Sequence, residues 1–156
     1  MRLSPLNSSK EHLSSLSFIK QNVPKAFMIE SFPFYNGELE INLSREGYRV
    51  KGITNKFVVN EFWQTIERDP KSLAYFIEFY QKKQIDDIVF YLQKEWFKER
   101  DPIIRSALFA LLQNNSDIFY ASSGTYTKTS FDFNEIVKTW SPGQIDIKFI
   151  NIEDEN

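Results

Sequence analysis

The order of apolar segments predicts an α/β fold, a partial parallel sheet of about three strands interrupted by a helical insert. Three observations lead there. Strand-like runs at residues 26–31, 48–53 and 145–150 are separated by helix-like stretches, and strands joined through helices pair in parallel. One device occurs twice in the middle of the chain, Asp69-Pro70 and Asp101-Pro102, with aspartate as N-cap and proline in the first helical turn. After each, apolar residues recur at helical spacing.

From the N-terminus, Ser8 or Ser9 can cap a helix that runs to about Gln21 and is closed by Pro24. Residues 26–31 read as the first strand, 38–45 as a helix ended by Gly47, and 48–53 as the second strand. Residues 55–68 read as a helix with Phe57, Val58, Phe62 and Ile66 near one face. Leu73, Phe76, Ile77 and Tyr80 follow the first Asp-Pro, and Ile104, Ala107, Leu108, Leu111 and Leu112 follow the second. Between them Ile85, Ile88, Val89, Leu92 and Trp96 share a face. Helices within about 70–82, 84–99 and 102–114 are expected to bury these stripes against one another, with Leu108 and Trp96 inside. Residues 114–130 are polar and turn-rich. A short helix at 134–140 and a turn at Ser141-Pro142-Gly143 lead to the alternating third strand, and Glu153-Asp154-Glu155 is expected to be solvated.

The chain of 156 residues reads as one domain, with 1–68 and 131–156 forming the sheet core and 69–130 the insert. Apolar residues at 42% and charged residues at 26% suit a globular fold. A formal charge of −2 gives no global attraction to nucleic acid or an anionic membrane. Without cysteine there are no disulfides and no thiolate metal sites. His12, the only histidine, is expected on the surface of the first helix, so neither a histidine-rich metal site nor a serine–histidine triad is predicted. Apolar stretches such as 107–112 fall short of the roughly 20 residues needed to span a bilayer. The start, Met1-Arg2-Leu3-Ser4-Pro5, lacks an apolar signal core, so no secretory route is expected. The surplus of aromatics, 15 Phe, 7 Tyr and 3 Trp, supplies a core and anchors for a protein interface.

Strand, tight loop and helix form the entrance to a nucleotide-type pocket in a doubly wound sheet, and residues 26–45 have that order. Such a loop calls for glycine where backbone approaches a ligand. Here Glu30-Ser-Phe-Pro-Phe-Tyr-Asn-Gly-Glu38 offers one, Gly37. Ser4-Pro5-Leu6 with Lys10, then Glu30, Phe32 and Phe34, then Val59 with Phe62-Trp63, then Arg105, Ala107, Leu108, Phe109 and Leu112 follow one another in a characteristic order. In that order the chain resembles the Dam-type adenine-specific DNA methyltransferases, in which a helical target-recognition insert interrupts a Rossmann-like catalytic domain. The resemblance covers nearly the whole chain and the N-terminal half or so of a complete family member.

The departures fall on the chemistry that the resemblance implies. Ser8 and Ser9 stand where the family has two glycines before its lysine, here Lys10. Aligned on Glu30, the loop puts Phe34 and Asn36 at glycine positions; aligned on Pro33-Phe34, it puts Asn36 and Glu38 there. Thr54 stands where the family has the aspartate that binds the cofactor ribose, and Gln113 replaces an asparagine that ends the insert helix. The family's catalytic Asp-Pro-Pro-Tyr, which holds the flipped adenine, does not occur in the chain. Lys10, Glu30, Phe34, Asn36, Gly37 and Thr54 are therefore degenerate cofactor positions. No catalytic or metal-binding residue is expected, and S-adenosylmethionine would bind only if the altered loop still functioned.

The reading that follows is a catalytically inactive methyltransferase-like protein, not an enzyme by itself, serving as a structural or interaction component of an assembly. In the family the strand bearing the catalytic motif pairs beside the strand equivalent to 26–31, so that edge is expected to be open here. Phe27, Ile29, Phe32, Phe34 and Tyr35 are the expected interface residues, facing a protein partner or a second copy. The alternatives are the N-terminal part of a split adenine-specific DNA methyltransferase, or a DNA-binding remnant of one. For the last, Lys71, Lys82, Lys83, Lys94, Lys98, Arg100 and Arg105 could meet phosphates, but acidic residues are interspersed among them. Abundant Asn, Lys, Ile and Phe suit an AT-rich genome such as many viruses have, so the expected location is the cytoplasm, or a virion where the chain is phage-encoded.

Overall fold

The structure, a computed structural model, describes residues 2–8, 12–83, 88–115, 129 and 131–151. Lys10, residue 85 of the predicted middle helix, most of the turn-rich stretch 114–130 and the acidic end lie outside the described residues.

The elements alternate as the apolar pattern requires. Helix α1 (His12–Asn22) leads to β1 (Met28–Ser31), α2 (Glu38–Arg45), β2 (Arg49–Thr54) and α3 (Phe57–Arg68). Then follow α4 (Pro70–Gln81), α5 (Ile88–Lys98), α6 (Pro102–Asn114), α7 (Phe133–Lys138) and β3 (Asp146–Phe149). The three strands form a parallel sheet in the order β1-β2-β3. The fold is thus α/β with a partial parallel sheet.

Local chemistry sets the ends of these elements. Strand β1 starts two residues later than the apolar run, because Phe27 N–H closes a turn on Pro24 C=O at 3.1 Å. Helix α3 starts at Phe57, after Thr54 Oγ1 accepts the N–H of Lys56 at 3.1 Å. Both Asp-Pro caps form: Asp69 accepts from Ser72 N–H at 3.1 Å, and Asp101 from Ile103 N–H at 2.8 Å.

The sheet register divides the side chains between two faces. Ile29, Ser31, Val50, Gly52, Thr54 and Ile147 share one face, on which Gly52 and Thr54 are buried. The sheet winds in one direction from β1 to β3, so right-handed crossovers put α2 and α3 on the same side. On the other face Glu30 pairs with Lys51 and Lys51 with Asp146, and Met28, Glu30, Arg49, Asp146 and Lys148 are exposed.

Helix α6 is the hub of the helical part and packs against α3, α4 and α5. Leu108 is fully buried there, as the spacing predicts. Trp96 is only half-buried, with its ring 6.2 Å from Phe109. The expected face of α3 is turned by about one position. Val59, Phe62, Trp63 and Ile66 are buried, whereas Phe57 is exposed and rests edge-on against Phe149.

Candidate functional site

The loop between β1 and α2 folds over the ends of β1 and β2 and fills its own crevice. Phe34 N–H donates to Ile53 C=O at 2.8 Å, which turns the ring inward. There it lies against β2 so closely that a β-carbon on Gly52 would stand 2.6 Å from Phe34 Cδ2. Trp63 of α3 meets Phe34 edge-on at 5.3 Å and donates through Nε1 to Tyr35 C=O at 3.0 Å. Gly37, at φ 80°, passes under the same indole, where a β-carbon would lie 2.7 Å from Trp63 Cζ2. Glycine is needed at this position because backbone approaches the chain's own tryptophan.

The residues that the resemblance sets at cofactor positions have local tasks. Asn36 Oδ1 accepts Glu38 N–H at 3.1 Å, and its C=O accepts the Ser4 hydroxyl. Thr54 is buried; its hydroxyl serves Lys56 N–H and its C=O accepts Ile150 N–H at 2.9 Å. Glu30 lies exposed on the opposite sheet face from Gly52, away from the loop crevice. Lys10 lies outside the described residues. Among the described residues no cluster of three histidine or carboxylate groups is placed to hold a metal, and no helix is long and apolar enough to cross a membrane.

The expected interface residues separate into three groups. Phe27 and Phe32 are 62% and 53% exposed at the two ends of β1, where Met28 adds a further exposed apolar side chain. Ile29 and Tyr35 are half-buried, Tyr35 with its ring 6.1 Å from Phe109. Phe34 is a correction: at 1% exposure it is core and offers no surface. Among the described residues β1 has β2 on one side and no strand on the other.

Sequence reasoning did not foresee the strap formed by residues 2–8. Glu38, at the start of α2, accepts the N–H groups of Leu3 at 2.8 Å and Ser4 at 2.6 Å. At the end of α6, Gln113 accepts Asn7 N–H and donates to Asn7 C=O, both at 2.6 Å, while Asn114 donates to Pro5 C=O at 2.9 Å. Leu6 is fully buried between these anchors. Arg2 donates to Asn114 Oδ1 and lies 4.4 Å over the Phe131 ring; burial lowers its pKa to about 10, against the pull of Glu38. The signal was present in the pair Gln113-Asn114, two amides that follow the apolar run of residues 107–112.

Glu40 was missed as well, because acids in a first turn read as solvated complements of the helix dipole. It is 6% exposed, and its Oε2 has no hydrogen-bond partner among the described residues. Desolvation raises its pKa to about 7; its own backbone N–H opposes this, Glu38 adds to it, and a hydrogen bond with Ser31 lowers it. Of the cations considered for phosphate contact, Arg105 is held by Glu61, Lys82 by Glu78 and Lys98 by Glu95. No protein-family model matches the chain, and no curated protein matches it.

Proposed function

We propose that the chain is a catalytically inactive, methyltransferase-like protein that acts as a structural or interaction component of an assembly, held through the open edge of β1. That edge, which has no strand beside it among the described residues, is the observation that carries the reading. Unpaired strand edges are ordinarily covered, shortened or guarded by charge. The other outer strand, β3, is guarded by exposed Asp146 and Lys148. β1 carries a single exposed charge, Glu30, beside exposed Met28, and exposed Phe27 and Phe32 lie at its two ends. Support for inactivity comes from the loop crevice, where Phe34 and Trp63 occupy the space beside Gly52 and Gly37. Thr54 supplies no charge there.

Two measurements test the reading. Calorimetric titration with S-adenosylmethionine is expected to give no heat in the micromolar range, and micromolar binding overturns the inactive assignment. Replacing Phe27 and Met28 together by lysine is expected to release the protein from its assembly, measured by light scattering, with the fold intact. A wild-type protein that is monomeric at all concentrations and co-purifies with no partner removes the interaction role.

A second reading, the N-terminal part of a split methyltransferase, is favoured by the one-directional winding, which corresponds to half of a doubly wound sheet. It requires a companion chain bearing Asp-Pro-Pro-Tyr and methylation of adenine by the reconstituted pair.

A further inference from the structure

Resting on the open-edge reading, we propose that the occupant of the β1 edge is the β1 strand of a second copy, antiparallel, with Ile29 opposite Ile29 and Met28 opposite Glu30. A two-fold axis perpendicular to the sheet keeps equivalent faces on the same side, so residues directly opposite each other must share a face. That condition limits the registers to a few. Glu30 opposite Glu30 sets like charges against each other. Met28 opposite Met28 runs past the strand start, where Phe27 N–H is already turned back onto Pro24. Centring on Ile29 pairs residues 28–30 of both copies and leaves neither fault.

Charge on the open face then complements itself. Within one copy Glu30 is beside Lys51, which is beside Asp146. Across the axis Glu30 faces Met28 of the second copy, whose β2 neighbour is Arg49. The Arg49 guanidinium reaches to Ala26 C=O at 2.7 Å, so its charge lies at the start of β1, on the path of the incoming carboxylate. Each Glu30 is thereby set between Lys51 of its own copy and Arg49 of the other. The antiparallel sense also brings Phe27 of one copy to the end where Phe32 of the other is exposed. Two three-stranded sheets become one of six strands without an unguarded edge.

The absence of cysteine makes the register directly testable. Directly opposed residues of antiparallel strands have Cα atoms about 4.5–5.5 Å apart, inside the range a disulfide spans. A mixture of Met28→Cys and Glu30→Cys proteins is expected to give a cross-linked heterodimer on mild oxidation, whereas each variant alone gives none. Glu30→Lys is expected to weaken dimerisation about tenfold or more, and Glu30→Lys with Arg49→Glu to restore it. A Glu30→Cys homodimer, or no cross-link in the mixture, overturns the proposal. Loss of a different protein partner in the Phe27/Met28 double-lysine variant, with no cross-link in the mixture, rejects the second copy while leaving the open-edge reading intact.

Discussion

Gln113 makes two hydrogen bonds to the backbone of Asn7, accepting its N–H and donating to its C=O, each at 2.6 Å. The side-chain amide acts as one rung of a strand ladder and fastens the strap of residues 2–8 to the end of α6. Gln113 is fully buried, so truncation strands two polar backbone groups where water has poor access. Gln113→Ala is expected to destabilise the fold by about 2–4 kcal/mol, measured by urea denaturation. Loss of under about 0.5 kcal/mol would show the strap to be dispensable.

The contact between Phe34 and Gly52 gives a coupled pair. Gly52→Ala places a β-carbon within 2.6 Å of the Phe34 ring and is expected to cost about 1–3 kcal/mol through overpacking. Phe34→Ala, which empties the crevice, is expected to cost about 3–5 kcal/mol. With Phe34 already removed, Gly52→Ala should become nearly neutral, so the double-mutant cycle reads the contact itself. Additive effects would mean that the ring does not rest on β2.

Leu108 tests the helical hub. It is fully buried in α6, which packs against three other helices. Leu108→Ala is expected to cost about 2–5 kcal/mol by thermal or chemical denaturation. A neutral result would place this face of α6 outside the core.

These residues also mark where the sequence was legible. Element types and order followed from periodicity and from the two Asp-Pro caps, because local spacing and capping chemistry act within a few residues. The face of α3 was set one position off because Phe57 and Val58 are as apolar as Val59 and Trp63, and composition alone does not tell which pair meets the sheet. The burial of Phe34, a loop residue, depends on Gly52 in β2, a contact with no sequence-local sign. The strap was invisible for the same reason: Asn7 and Gln113 are brought together only by the fold. Glu38 and Glu40 look like ordinary first-turn acids until the strap and β1 cover them.

Glu40 supplies the last prediction. Its pKa is raised to about 7 in the fold, chiefly by desolvation, from an ordinary value of 4.5. Between those values the folded state holds a proton that the unfolded chain releases, so stability falls as pH rises through this window and levels off above it. At about 1.4 kcal/mol per unit, the loss from pH 4.5 to pH 8 attributable to Glu40 is about 3 kcal/mol. Glu40→Gln keeps the shape without the ionisation, and its stability should lack this component. The difference between the two proteins, measured by urea denaturation across pH 4–8, is expected to change in favour of the variant by about that amount. Parallel pH profiles would show that Glu40 reaches water or finds a donor besides Ser31 once ionised.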